Sequence, residues 1–238
     1  MKITYLYLEE ILENNGIEVP DFLVCNMDSA NYKVMRAQLR AKFRYSEKEG
    51  PVVASEDHDE KCEKILKKGK EEHADLLLMP EYCLSYELLA KITGDEELWP
   101  KQNQLWCLPC QGIEDKDFFQ FIKNLKDMKN GAVVVLEDAI DPRRIAKPNY
   151  FINALFYCFT AYTKTGEKKL VLVPQLKTQS MADREYLCEA EGMTLGSAIY
   201  VVGRREENRL VTLLCADSLN SQIQWEQMRK EAGSKSLT

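Results

Sequence analysis

Short apolar runs alternate with charged segments along this chain of 238 residues. Residues 4–15 have the apolar spacing of an amphipathic helix and stop at Gly16, which predicts an N-terminal helical extension over 1–20. A predicted helix over 59–74 leads into the strand DLLLMP, and one over 117–131 leads into the strand AVVVLED. The first half of the chain therefore predicts helices that alternate with strands.

After residue 149 the pattern favours strands instead. The runs YFINALFYCFTAYT and LVLVPQLK flank a turn at KTGEKK, and the runs AIYVVGR and LVTLLCA flank a turn at REENR. Two hairpins after a helix–strand alternation predict a mixed α/β fold with helices covering sheets. With no internal repeat and no low-complexity linker, we expect a single domain over 1–238, with 82–130 as a long insertion.

Composition and charge weigh against nucleic-acid-binding, secreted and membrane-spanning proteins. The chain is 45% hydrophobic and 29% charged, and its net charge of −6 argues against a broad non-specific nucleic-acid surface. Its N-terminus lacks the apolar core of a signal peptide, and no apolar run has the length of a membrane span, so we expect a cytoplasmic protein. Most of the eight cysteines are then expected to be small buried side chains in a reducing compartment.

Three apolar, strand-like runs each deliver one reactive side chain at or just past their ends. ADLLLMPE ends on Glu81, LVLVPQLK ends on Lys177, and LVTLLCAD carries Cys215. A carboxylate can take the proton of a thiol and return it to a leaving amine. An ammonium and the N–H of Ala216, just past the thiol, can stabilise an oxyanion. The pattern predicts a thiol hydrolase with Glu81 as base, Lys177 as oxyanion stabiliser and Cys215 as nucleophile.

These three stretches resemble those of the nitrilase, or carbon–nitrogen hydrolase, superfamily, which carries a Glu–Lys–Cys triad in this chain order. The lead-in EGMTLGSAIYVVGRREENRL is also similar to the family's approach to its nucleophile. The resemblance covers roughly residues 59–220. It implies an α/β/β/α sandwich, hydrolysis of a non-peptide amide or nitrile bond through a thioester-type intermediate, no metal or organic cofactor, and a homodimer.

The chain also departs from the family pattern. Gln179 stands where the family's lysine block usually has a histidine, so Lys168 and Lys169 are alternative candidates for the lysine. The resemblance further implies a second glutamate that orients the site, for which Glu185 is the best positional match and Glu189 the next. Few residues follow Cys215, so we expect a C-terminally incomplete sandwich.

A looser resemblance concerns biological context. QLWCLPCQGI, YFINALFYCF and QLKTQSMAD resemble nitrilase domains attached to bacterial defence-associated reverse transcriptases. This resemblance implies a role in antiviral defence, with a reverse transcriptase or nucleic acid as partner. The alternative to an amidase is accordingly a non-catalytic nitrilase-like module that acts in binding or assembly.

A third hypothesis rests on Trp106–Cys110, since W-C-x-P-C is similar to the thioredoxin redox motif. The preceding residues PKQNQL do not have the pattern of a buried strand, which weighs against it. A zinc site on Cys107 and Cys110 lacks a second ligand pair at the usual spacing. His58 and His73 lie in polar stretches and are expected to be solvated, which disfavours a Cys–His protease.

Overall fold

The computed structural model describes residues 2–26, 31–127, 131–181, 187–205 and 208–220, which form a mixed α/β fold. Its helices are α1 (Leu8–Asn14), α2 (His58–Glu71), α3 (Tyr86–Gly94), α4 (Asp115–Lys126) and α5 (Leu187–Gly192). Its strands are β1 (Thr4–Tyr7), β2 (Val34–Arg36), β3 (Phe43–Ser46), β4 (Gly50–Val53), β5 (Leu76–Leu78), β6 (Leu105–Pro109), β7 (Ile113–Glu114), β8 (Val133–Val135), β9 (Ile145–Lys147), β10 (Phe151–Ile152), β11 (Ala154–Tyr162), β12 (Lys168–Leu176), β13 (Met193–Gly196) and β14 (Ala198–Val201).

A six-stranded sheet with the order β2-β5-β6-β11-β12-β8 forms the centre of the molecule. The long strands β11 and β12 pair antiparallel over their whole length, from Ala154 opposite Leu176 to Tyr162 opposite Lys168, which confirms the first predicted hairpin. Strand β5 pairs parallel with β6, and strand β8 pairs parallel with β12. Each of the two strands follows a helix along the chain, as the early helix–strand alternation predicts.

Alternation along β11 explains how this sheet is covered on both faces. Phe156 and Cys158 join a core that contains apolar residues of α2, α3 and α4. The residues between them, such as Tyr157 and Phe159, join a second core with α1 and β14 on the opposite face. Because successive side chains of a strand point to opposite faces, a strand that is apolar at every position is buried on both.

The N-terminus corrects one prediction. The chain starts with strand β1, which pairs parallel with β14, and only then forms the two-turn helix α1. The predicted helical extension over 1–20 is therefore a strand followed by a short helix. The β-branched and aromatic residues of TYLY suit a strand. The segment forms one because it pairs with β14, where Ala198, 194 positions further along the chain, lies opposite Thr4.

The second predicted hairpin is also only partly present. Val202 and Leu210 form an isolated antiparallel bridge, and the residues from Val211 to Leu214 have no regular secondary structure. Strand β14 takes β1 as its partner instead. The third apolar run thus reaches Cys215 as an extended segment packed on the sheet rather than as a strand.

Residues 82–130, predicted as an insertion, contribute to the centre of the fold. They supply helices α3 and α4 and strand β6, which lies between β5 and β11 in the large sheet. All five residues of β6 are buried, although the segment PKQNQL, which leads into β6 and ends on its first residue, does not have the pattern of a strand. Within the described ranges, no helix has the length and apolarity needed to cross a membrane.

Candidate functional site

Glu81 lies in the loop that follows β5, at the edge of the large sheet. The backbone N–H groups of Met79 and Cys83 donate to carbonyls of β6, so this loop runs along the neighbouring strand. Tyr82 has a φ of +56°, a conformation that costs energy for a side chain with a Cβ atom. The turn at Tyr82 is thus held by its surroundings, and it carries Glu81.

Lys177 is the first residue after β12. Its backbone N–H donates to the carbonyl of Asn153 at 3.0 Å, and its carbonyl accepts from Gly196 at 2.9 Å. Its side chain is fully buried, and Nζ lies 2.7 Å from Oε1 of Glu81. The structure therefore brings together the first two residues of the predicted triad.

The ammonium of Lys177 has a second carboxylate partner. Nζ donates to both oxygens of Glu189, at 2.9 and 3.1 Å, and lies 5.8 Å from the ring centroid of Tyr82. Burial by itself would lower the pKa of Lys177, but the charges and hydrogen bonds of Glu81 and Glu189 outweigh burial and raise it. A buried lysine here remains a cation because two carboxylates face it.

Glu189 is the second glutamate of the site. It lies on α5, is 4% exposed, and accepts hydrogen bonds from the Tyr82 hydroxyl at 2.5 Å and the Met181 N–H at 2.9 Å, besides Lys177. Glu185, the better positional match, lies outside the described residues. Among the described residues, the second glutamate at Lys177 is thus Glu189, which sequence spacing ranked second.

Cys215 opens a short 3-10 helix, Cys215–Leu219, at the end of the extended run. Its side chain is exposed, and its φ is +42°, in the left-handed region that glycine favours. Strain of this kind concentrates at functional sites, where it holds one side chain in a fixed direction. The Sγ atom lies 3.8 Å from Sδ of Met181, in the loop after Lys177.

The thiol of Cys215 faces the carboxylate of Glu81. Burial raises the pKa of this thiol, the charge of Glu81 and a hydrogen bond to it raise the pKa further, and the ammonium of Lys177 acts in the opposite direction. All three predicted triad residues therefore lie within electrostatic reach of one another. The thiol is therefore neutral at rest, and the carboxylate of Glu81 is close enough to act on its pKa.

Asp217 fixes the turn that carries Cys215. One carboxylate oxygen accepts from the N–H and hydroxyl of Thr178 and the N–H of Gln179, at 2.8–3.0 Å, and the other accepts from the Leu214 N–H at 3.2 Å. Burial dominates and raises the pKa of Asp217 to about 6. This buried carboxyl joins the nucleophile turn to the residues directly after Lys177.

The N–H of Ala216, the predicted second oxyanion donor, lies in the first turn of the short helix Cys215–Leu219. The first hydrogen bond of the short helix runs from the Asp217 N–H to the Leu214 carbonyl at 2.9 Å. The N–H groups before that bond have no partner inside the helix. Ala216 itself is 5% exposed, so its N–H sits at the edge of the core next to Cys215.

Sequence reasoning missed Asn153 and Tyr82. Asn153 is fully buried between β10 and β11, and its Nδ2 donates to Oε1 of Glu81 at 2.7 Å. Tyr82 donates to Glu189 and lies beside Lys177. The signal for Asn153 was available, because a lone amide inside the apolar run FINALFYCF is either paired or costly.

The alternative lysines and the alternative cysteine pair that the sequence offered lie away from the Glu81–Lys177 contact. Lys168, at the far end of β12, pairs with Glu96 at 2.6 Å, and Lys169 pairs with Glu167 at 2.8 Å. Cys107 and Cys110 belong to the cores on opposite faces of the large sheet, and burial raises the pKa of Cys107 to about 12. Buried thiols on opposite faces do not form a reactive redox pair, so that hypothesis is wrong.

Comparisons with protein-family models, with curated proteins and with solved structures found no match to this chain.

Proposed function

We propose that this chain is a nitrilase-like hydrolase of a non-peptide carbon–nitrogen bond, an amide or a nitrile. The observation that carries the proposal is the contact of the buried Lys177 ammonium with Glu81, whose carboxylate also faces the exposed thiol of Cys215. A base, a fixed cation and a thiol in mutual reach are the groups that acyl transfer to sulfur requires.

For an amide substrate, the proposed reaction begins with attack of Cys215 Sγ on the carbonyl carbon while the thiol proton moves to Glu81. The resulting oxyanion lies between Lys177 Nζ and the Ala216 N–H. The C–N bond then breaks as Glu81 protonates the leaving amine, and a thioester remains on Cys215. Water, deprotonated by Glu81, hydrolyses that thioester, which releases the carboxylic acid and restores the thiol.

The pKa directions support this division of roles. Because the pKa of the Cys215 thiol is raised, a resting thiolate is not the nucleophile, and attack requires a base in contact with the thiol. Glu81 is that base, and Asn153 and Lys177 orient its Oε1. Glu189 keeps Lys177 in place without touching the reacting atoms, which makes it a positioning residue.

The same proposal extends to the fold. We infer a nitrilase-like α/β/β/α sandwich, supported by the order of layers: α2, α3 and α4, then the six-stranded sheet, then the β1–β14 pair with α1. The mixed α/β class is what the structure establishes, and the sandwich is the more specific inference.

The test is to incubate the protein with a panel of small primary amides and nitriles, to measure released ammonia, and to detect acylated Cys215 by mass spectrometry. We expect turnover in the wild type and loss of it in Cys215→Ala and Glu81→Gln. Glu60→Gln, an exposed glutamate on α2, is the matched control and should retain full activity. Absence of both ammonia and an acylated thiol across the panel would favour a binding or assembly module.

A further inference from the structure

Three buried side chains outside the Glu–Lys–Cys site come together under the loop that carries Glu81. His58 and Cys62 lie one helical turn apart at the start of α2, and Cys83 lies two residues after Glu81. They are 3%, 0% and 2% exposed. One ligand atom from each lies within 4.8 Å of the others. From this geometry we propose that His58, Cys62 and Cys83 bind a zinc ion.

The distances between these atoms fit one tetrahedral ion. Zn–S bonds of about 2.3 Å and Zn–N bonds of about 2.0–2.1 Å give tetrahedral edges of about 3.8 Å between two sulfurs and about 3.6 Å between sulfur and nitrogen. The Sγ atoms of Cys62 and Cys83 are 3.6 Å apart, and Sγ of Cys83 is 3.7 Å from Nε2 of His58. Two of the three distances between ligand atoms thus match a tetrahedral site, and the third, between Cys62 and His58, is within 4.8 Å.

The chemistry of the three groups favours a soft or borderline metal ion. Thiolate and imidazole ligands favour zinc over the hard cations magnesium and calcium. Binding would release one proton from each thiol, and one Zn²⁺ with two thiolates carries no net charge. A neutral unit can be buried in an apolar core without the cost of an isolated ion.

A sulfur pair in an apolar core has two simpler explanations, packing alone or a disulfide. The sulfurs are too far apart for a disulfide, whose S–S bond is about 2.05 Å. Packing alone does not explain why an imidazole nitrogen converges with both sulfurs: Nε2 of His58 lies 3.7 Å from Cys83 Sγ as well as 2.8 Å from the Cys83 carbonyl. Nε2 would exchange that carbonyl contact for the metal, and a solvent molecule would complete the tetrahedron.

The position of the ion gives it a structural role. The ion would join the first turn of α2 to Cys83. Cys83 directly follows Tyr82, and the positive φ of Tyr82 forms the turn that begins at Glu81. The proposal is independent of the hydrolase activity, because none of the three ligands belongs to the Glu–Lys–Cys site. The prediction that His58 is solvated is wrong, because its side chain is buried.

The test uses the full chain, first stripped of metal with a chelator under a phosphine reductant and then titrated with Co²⁺. We expect saturation at one cobalt per chain, with a thiolate-to-cobalt charge-transfer band and the visible bands of tetrahedral cobalt, both lost on addition of Zn²⁺. Cys62→Ser and Cys83→Ser should each weaken cobalt binding at least about tenfold, since each removes a ligand.

Two matched variants control for loss of a thiol as such. Cys25→Ser removes a buried thiol from the core on the opposite face of the sheet, and Cys188→Ser removes a partly exposed one. Both should keep the charge-transfer band. The cobalt titration of the wild-type protein tests the zinc site even if a ligand variant does not fold. No band with equimolar cobalt, or a band that persists in both Cys62→Ser and Cys83→Ser, would overturn the zinc site.

Discussion

Nζ of Lys177 lies 2.7 Å from Oε1 of Glu81, although 96 positions separate the two residues along the chain. Strands β5 and β12 are not neighbours in the sheet, and β6 and β11 lie between them. The side chains meet because Glu81 is carried on a loop beyond its strand and Lys177 stands directly after its own. Glu189 completes the arrangement from α5, so one buried cation lies between two carboxylates.

Removing the cation should destabilise the fold. Lys177→Met leaves Glu81 and Glu189 facing each other with like charges, one of them almost fully buried. We expect a loss of about 3 kcal/mol in the free energy of unfolding, measured by urea denaturation at pH 7. Lys168→Met, which removes an exposed pair with Glu96, should cost less than about 1 kcal/mol. Equal losses in the two variants would contradict the role of Lys177.

Glu189 rather than Glu185 should be the glutamate that the site depends on. Glu189→Gln removes a charge that accepts hydrogen bonds from Lys177, Tyr82 and Met181, so we expect a loss of about 2 kcal/mol in stability and a lower turnover rate. Glu189→Asp should recover part of both. Glu185→Gln is the comparison variant, and an equal effect there would show that the sequence-based ranking was right.

The pH dependence of Cys215 reactivity should show the opposing effects of Glu81 and Lys177 on the pKa of the thiol. Its raised pKa predicts that the rate of alkylation by iodoacetamide reaches its midpoint above the ordinary thiol value of 9.0. Because Glu81 raises this pKa and Lys177 lowers it, Glu81→Gln should move the midpoint down and Lys177→Met should move it up. Identical profiles for all three proteins would mean that the thiol is not in contact with the pair.

Asp217 should make stability depend on pH. Its pKa is raised from 3.8 to about 6 in the folded chain, so folding takes up a proton between these values. The stability that Asp217 contributes is therefore largest below pH 3.8 and falls as pH rises towards 6. The full change corresponds to about 3 kcal/mol.

Asp217→Asn cannot titrate and isolates this effect. The free energy of unfolding of the wild type minus that of the variant should decrease by up to about 3 kcal/mol between about pH 4 and pH 7. Guanidinium denaturation at both pH values measures it. A difference that stays constant with pH would show that burial of Asp217 does not control its titration.

The backbone at Cys215 should be strained independently of its thiol. Cys215→Gly and Cys215→Ala both lack the sulfur, but only glycine adopts a φ of +42° without steric cost. We expect the glycine variant to be more stable than the alanine variant by up to about 1 kcal/mol, after the greater flexibility of glycine in the unfolded chain is included. Thermal denaturation of the two variants provides the comparison, and a more stable alanine variant would refute the strain.

The sequence by itself determined the local elements whose patterns are complete within one segment. The helix α2, the helix α4 and the hairpin of β11 and β12 follow from apolar spacing and from the turn at KTGEKK, because period and turn chemistry act over a few residues. The sequence also indicated Glu81, Lys177 and Cys215 as reactive groups, since each follows an apolar run.

Only the tertiary structure decided which distant groups meet. TYLY forms a strand because β14 is beside it, whereas LVTLLCA pairs with no strand among the described residues and ends in the 3-10 helix that starts at Cys215. Glu189 contacts Lys177 because α5 places its carboxylate in the core. His58 is buried beside two thiols that lie on another turn and another loop. Contacts of this kind depend on the packing of whole layers, which no local pattern records.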